Sequence, residues 1–253
     1  MCRILAYYQD ADDLSHASTF TDLILCSIHF GLDYIHLNDY PPDDPKNATM
    51  WHNVRAAEEK GVHIWLMIGG AGGAFEVLFK DFDKYYRMLS DCIMNHPCIT
   101  GIDLDVEEEV DFLDIQQLVM QIKSDFPGMK LSFAPIATSL ANPAYPGMGG
   151  FCYADVEKTM GKHIDEYHVQ MYDSFNTMTL GYILRYFGPQ RIVVGMNGNQ
   201  NMEVACTQIQ DMVRLTRRRL GGVFVWNFHT RPRGWEQVVY DALRDGWDTC
   251  SIQ

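Results

Sequence analysis

Short apolar runs return eight times along the chain, at 3–8, 32–37, 62–68, 98–107, 129–135, 166–172, 191–196 and 222–226. Stretches with helical spacing follow them, at 21–27, 48–60, 75–95, 111–125, 154–162, 177–187, 202–220 and 235–243. No other feature of the sequence constrains the fold as much. A strand covered on both faces reads as a nearly unbroken apolar run, as Ile64, Trp65, Leu66, Met67 and Ile68 do. Strands that alternate with amphipathic helices pair in parallel. Phe112, Ile115, Leu118, Val119 and Ile122 recur at the i, i+3, i+4 spacing of one buried helix face. Gly61 stops one helix, Gly188-Pro189 another, and Pro97 breaks a third. Strand and helix repeated eight times predict a (β/α)8 TIM barrel. A length of 253 residues suits one such barrel, so 1–253 is read as a single domain.

The fourth run differs from the rest. In Cys98-Ile99-Thr100-Gly101-Ile102-Asp103-Leu104-Asp105-Val106-Glu107, three acidic residues arrive at spacing two, interleaved with Ile102, Leu104 and Val106. Successive side chains of a strand point to opposite faces, so Asp103, Asp105 and Glu107 share one face. Such a face can be the solvated side of an edge strand or a ligand set for a hard cation. A closed barrel has no edge strand, which removes the first reading. In parallel barrels the chemistry sits at the C-terminal ends of the strands, and the triplet occupies that end of strand four. Tyr8, Gly69-Gly70, Tyr172-Asp173, Asn197 and Trp226-Asn227 mark the same end of other strands.

Composition narrows the function classes. A net charge of -13 argues against a nucleic-acid partner, which would need a basic face. The run Arg217-Arg218-Arg219 falls at the end of a helix, where cations complement the dipole. No stretch approaches eighteen consecutive apolar residues, so no membrane span is expected. Seven cysteines, at 2, 26, 92, 98, 152, 206 and 250, are odd in number and lack any C-x-x-C pair. That usage fits a reduced intracellular protein rather than a disulfide framework or zinc site. Met1-Cys2-Arg3 passes directly into an apolar strand without the layout of a signal peptide, so a cytoplasmic location is expected. The nine histidines are scattered, and neither a metal nor a cofactor is expected. Glu108 and Glu109 are read as a solvated loop.

Gly101-Ile102-Asp103-Leu104-Asp105-Val106-Glu107 resembles the Asp-Gly-x-Asp-x-Asp-x-Glu signature of family 18 glycoside hydrolases, the chitinases and endo-β-N-acetylglucosaminidases. Three further segments match in order. Ile68-Gly69-Gly70 resembles the family's Ser-x-Gly-Gly on strand three, and Gln170-Met171-Tyr172-Asp173 its Gln-x-Tyr-Asp/Asn on strand six. Gly222-Val223-Phe224-Val225-Trp226 resembles the strand-eight segment that ends in a subsite tryptophan. The resemblance spans essentially the whole chain.

It implies cleavage of β-1,4-linked N-acetylglucosamine with retention, the substrate's own acetamido oxygen acting as nucleophile, an exception to the two-carboxylate scheme. Glu107 would protonate the leaving oxygen. Asp105, roughly 6–7 Å deeper along the strand, would orient the acetamide and balance the oxazolinium charge. Asp103 would hold a proton or pass negative charge to Asp105, since crowded carboxylates do not all ionise cheaply. Tyr172 would donate to the acetamido carbonyl, and Trp226 would form the apolar floor under the sugar. Gln170, Asp173 and Gly70 are further sugar-site candidates, with Tyr7 or Tyr8 reaching it from strand one.

Two positions depart from the family pattern. Thr100 stands in place of the first Asp, outside the carboxylate triplet, and Met67 in place of the strand-three Ser. A thioether cannot donate a hydrogen bond, so Asp103 is expected to lack a hydroxyl donor and to share a proton with Asp105 over a widened pH range. The chain has no room for the α+β insertion of larger chitinases, which implies an open cleft and mid-chain attack. The expected partner is an oligosaccharide or polysaccharide of β-1,4-linked N-acetylglucosamine. Chitin, the chitobiose core of an N-glycan and, for a catalytically weak lectin, chitin binding alone all stay open.

Overall fold

Strand β1 (Arg3–Tyr8) pairs in parallel with β2 (Asp22–Phe30) on one side and with β9 (Gly222–Trp226) on the other, and that double pairing closes the sheet. The ring runs on through β4 (His63–Gly69), β5 (Ile99–Asp105), β6 (Lys130–Phe133), β7 (Glu166–Gln170) and β8 (Ile192–Asn197). All eight of its neighbouring pairs are parallel. The structure, a computed structural model, describes residues 3–11, 13–14 and 19–248, with side chains to 245. Helices α1 (Ala48–Glu58), α2 (Phe75–Lys80), α3 (Phe82–Asn95), α4 (Phe112–Asp125), α5 (Ala137–Ala141), α6 (Tyr153–Met160), α7 (Thr177–Ile183) and α8 (Met202–Leu215) lie between strands in sequence, and α9 (Trp235–Asp248) follows β9. The protein is a single eight-stranded parallel barrel of the (β/α)8 class.

The first unit differs from the expectation. Residues 22–27 of the expected helix are strand, and the second barrel strand is β2 rather than 32–37. A short apolar run gives the same sequence signal in a buried helix and in a strand buried on both faces. Burial decides it here, because Leu23 and Leu25 pack into the outer core while Ile24 and Cys26 point into the barrel. Of 32–37, only β3 (Ile35–Leu37) is strand, folded back antiparallel on β2 outside the ring. No helix lies between β1 and β2 among the described residues. The expected helix at 75–95 divides at Asp81, whose backbone (φ -147°, ψ 70°) leaves the helical region.

Two cores follow from the period of two. Side chains such as Ile4, Ala6 and Tyr8 enter the layer between strands and helices. Leu5, Tyr7, Ile24, Cys26, Trp65, Met67, Val193 and Phe224 fill the barrel interior. Large rings there need small neighbours: a Cβ on Gly101 would lie 2.3 Å from the Trp65 ring, and one on Gly195 1.9 Å from Phe224. The thiols at Cys26, Cys92, Cys98, Cys152 and Cys206 are free; Cys2 and Cys250 lie outside the described residues. Among the described residues no helix is long and apolar enough to cross a membrane, and no cluster of His, Cys, Asp and Glu forms a candidate metal site.

Candidate active site

Strand β5 carries Asp103 and Asp105 into the barrel, and Glu107 follows just past its end. Asp103 is completely buried, Asp105 nearly so, and Glu107 is partly exposed. Burial therefore falls along the triplet toward the open end of the barrel.

At the deep end, Asp103 is not short of donors. Ser132 Oγ donates to its Oδ1 at 2.6 Å and Tyr7 Oη to its Oδ2 at 2.8 Å, while His168 Nδ1 lies 3.0 Å from Oδ1. Asp103 stands in register with Met67 on β4 and with Ser132 on β6. The hydroxyl that Met67 cannot supply thus comes from the strand on the other side. This corrects the expectation that Asp103 lacks a hydroxyl donor. Met67 instead packs in the barrel core, its Cε directed at Gly70. Thr100 is exposed at the outer end of β5, where its replacement of Asp touches nothing in the triplet.

Asp105 behaves differently. Burial first, then the charges of Glu107 and Asp103, push its carboxyl well above the usual carboxylate range, against the pull of the Gln170 amide and His168. Gln170 Nε2 lies 3.1 Å from Asp105 Oδ1, 3.4 Å from Glu107 Oε1 and 2.9 Å from Ala134 O. One amide group with two hydrogens thus spans both upper carboxyl groups and anchors them to the end of β6. Tyr172, two residues beyond Gln170, is partly buried against Phe224 at 6.3 Å between ring centroids. Burial, then the charges of Asp105 and Glu107, hold its phenol well above the ordinary value, which keeps it a hydrogen-bond donor.

Beneath the triplet runs a chain of opposite charges. His168 is fully buried, with Nε2 2.8 Å from Glu166 Oε1. The other oxygen of Glu166 accepts from Arg3, which also reaches Asp22 Oδ1 at 3.0 Å. Trp65 Nε1 donates to the same Asp22 oxygen at 2.9 Å.

The rim is built from glycines and one acidic side chain. Gly69 and Gly70 adopt φ of 92° and 87°, and a Cβ on Gly70 would lie 2.6 Å from Met67 Cε and 3.4 Å from Asp105 Oδ2. Only glycine brings the backbone this close at positive φ. Glu108, expected in a solvated loop, instead accepts hydrogen bonds from the backbone N–H groups of Ala74 and Phe75 at the start of α2. It ties the loop after β5 to the loop after β4 and so fixes the backbone beside Glu107. Next to this rim a cleft of about 840 Å³ opens, bounded by Trp226, Gly69, Gly70 and Met67 and by Ser27, His29, His36 and Asn38. Trp226 is partly buried, its ring edge-on to Tyr7 at 5.2 Å.

The structure thus brings together Asp103, Asp105, Glu107 and Gln170, with Tyr172, Trp226 and Gly70 around them. It does not bring Tyr8 there. Tyr8 is fully buried on the outer side of β1, against Phe228 at 5.6 Å, and its Oη accepts from Asn53. Tyr7 is the inward residue, since neighbouring residues of a strand face opposite ways. Asp173 is exposed on the loop after β7. Sequence reasoning missed Ser132 and His168. The signal for His168 was present, because Glu166, His168 and Gln170 recur at spacing two on one strand.

A closed parallel barrel carries this carboxylate ladder at one end, beside an open, partly aromatic cleft. No family model matches the sequence, and no curated protein matches it. Solved structures do. A fungal endo-β-N-acetylglucosaminidase of glycosyl hydrolase family 18 aligns with a TM-score of 0.86 at 27% identity, over 97% of this chain and 99% of that one. The chitinase ChiC of Aspergillus fumigatus aligns at 0.84 and 25% identity, over 97% and 100%. A family 18 chitinase of Pseudoalteromonas aurantia shares the fold at 0.71 and 18% identity, over 95% and 99%. The chain is a chitinase-like glycoside hydrolase that resembles family 18 in its fold and in the order of its motifs.

Proposed function

We propose that this protein is a retaining endo-glycosidase that cleaves β-1,4 bonds of N-acetylglucosamine-containing glycans, chitin or chito-oligosaccharides, by attack of the substrate's acetamido oxygen. The observation that carries this reading is the buried, proton-avid Asp105 joined through one amide to the partly exposed Glu107. Interacting carboxyl groups exchange protons as a pair, and burial makes Asp105 hold a proton more readily than a free carboxylate does. The reaction needs that proton on Glu107, the partly exposed member just past the end of β5. The Gln170 amide, 3.1 Å from Asp105 and 3.4 Å from Glu107, works against the raised proton affinity of Asp105, and the acetamide N–H of a bound substrate adds a second donor to the Asp105 anion.

With sugar bound over Trp226, Glu107 gives its proton to the glycosidic oxygen as the bond from C1 to that oxygen breaks. The acetamido oxygen forms a new bond to C1, and the developing positive charge lies beside the Asp105 carboxylate, which accepts from the acetamide N–H. Tyr172 donates to the acetamido oxygen and holds it under C1. The Glu107 carboxylate then takes a proton from water as the water oxygen attacks C1. The ring opens, the β-anomer leaves, and Glu107 is again the acid. General acid catalysis of this kind contributes about 10²–10⁴-fold.

The test is the first product. NMR before mutarotation should find the β-anomer, and a thiazoline analogue of the bicyclic intermediate should inhibit; an initial α-anomer would rule the mechanism out. The chitobiose core of an N-glycan is the second substrate reading, favoured by the 27% identity to the fungal endo-β-N-acetylglucosaminidase. One preparation assayed on chitin oligomers and on a high-mannose glycopeptide decides between them. Binding without turnover on either would make the protein a lectin.

A further inference from the structure

We propose that His168 is a positioning residue for the carboxylate triplet, a fixed buried cation that keeps Asp103 an anion and confines the exchangeable proton to Asp105 and Glu107. The catalytic part of this inference rests on the hydrolase reading above.

The geometry admits one charge state. His168 lies between two carboxylates, Nδ1 3.0 Å from Asp103 and Nε2 2.8 Å from Glu166, with no exposure to solvent. A neutral imidazole has one N–H and one lone pair, so either tautomer would aim its lone pair at a carboxylate oxygen. Only the imidazolium donates to both. Neither acid can take the proton instead without loss. Glu166 is held below its ordinary value by His168 and Arg3, which together outweigh its burial. Asp103 accepts at both oxygens, from Ser132, His168 and Tyr7.

Among the described residues the groups facing the imidazole are aromatic or acidic, with Arg3 held on the far oxygen of Glu166. Tyr7 faces the imidazole from β1, its oxygen 3.5 Å from Nδ1, with its phenol held well above the ordinary value, burial first and Asp103 second. The Trp65 ring approaches from β4 at 5.3 Å and Phe224 from β9 at 6.1 Å. Asp103 and Asp105 face it from β5, and Glu166 from β7 itself. Arg3 and Asp22 continue the chain below Glu166. Burial alone would lower the imidazole pKa, but Asp103 and then Glu166 outweigh it and lift the value to about 9.

The consequence is a division of labour among three carboxyl groups on one strand face. With Asp103 ionised, its charge helps raise Asp105, while the imidazolium limits that rise. The exchangeable proton is then left to Asp105 and Glu107, joined by the Gln170 amide, where acid catalysis requires it. Without the cation, Asp103 would compete for that proton.

The experiment combines kinetics with a direct reading of the imidazole. His168→Gln keeps a donor but no charge. Its kcat/KM profile should show the acid limb moved up by about one pH unit, with the basic limb moved less. Glu166→Gln leaves His168 in place but takes away one of its anions, so the same limb should move in the same direction by a smaller amount. The ¹⁵N signals of His168 in the wild type should show both ring nitrogens protonated through neutral pH, with a midpoint near 9 that falls in Glu166→Gln. Acid limbs that superimpose on the wild type in both variants would overturn the proposal, as would a neutral His168 at pH 7. If His168→Gln does not fold, Glu166→Gln and the wild-type titration decide the matter alone. If the wild type turns over no N-acetylglucosamine substrate, the hydrolase reading fails. The ¹⁵N midpoint then still upholds or overturns the buried cation.

Discussion

Replacing Asp105 by Asn and following stability with pH isolates the contribution of His168 to folding. His168 holds its proton to about pH 9 in the folded chain, whereas an unfolded histidine releases it near 6.5. A group whose folded pKa is raised contributes stability that is fully present below the unfolded value and is lost as pH rises through the folded one. The window is therefore pH 6.5 to about 9, and the free energy lost across it is about 3 kcal/mol. Other groups touch this window in known ways. Asp105, also raised, loses stability with the same sign as pH rises through its folded value, and the neutral isosteric amide removes that contribution. His96 is lowered by burial, so it acts only below 6.5. Burial raises the thiols of Cys26 and Cys92, which adds loss only as pH passes the ordinary thiol value of 9.0. Urea unfolding of Asp105→Asn at half-unit intervals from pH 6 to 9 should show a falling midpoint at constant slope against denaturant. A free energy flat to within about 0.5 kcal/mol across that range would refute the buried imidazolium.

Glu107→Gln should lose about 10²–10⁴-fold or more in kcat while oligosaccharide affinity, read by calorimetry, stays close to wild type; an active variant would remove Glu107 from its role. Ser132→Ala should cost about 1.5–3 kcal/mol in urea unfolding at pH 7, because a buried charged acceptor loses its 2.6 Å donor. Met67→Ser should destabilise by about 2–5 kcal/mol, as buried truncations do, yet leave the acid limb of kcat/KM in place, since Asp103 already has its hydroxyl. A moved acid limb in Met67→Ser would show that the thioether acts on the network directly. Trp226→Ala should raise KM for chitin oligomers far more than it lowers thermal stability, as expected for a partly exposed ring at the cleft.

The barrel was legible because burial on both faces makes parallel strands read as apolar runs, and seven of the eight runs read from the sequence are barrel strands. The error at 21–27 has the same origin. Leu23 and Leu25 serve one core and Ile24 and Cys26 the other, so neither period dominates the run. Tyr7 and Tyr8 were equally good candidates on paper; the pairing of β1 with β2 and β9 fixes which one faces inward.

What the sequence determined by itself is the ladder of carboxylates. A period of two puts Asp103, Asp105 and Glu107 on one face of any strand, and that follows from local geometry without knowledge of the fold. Which of them holds a proton was decided only by tertiary structure. His168 is 65 residues from Asp103 in the chain, and β6 separates their strands in the sheet, so the two meet only across the closed barrel interior. Ser132 reaches Asp103 through the register of β5 against β6, which no local pattern encodes. Charge state depends on burial and on the nearest opposite charge, and both are properties of the assembled barrel rather than of any one segment.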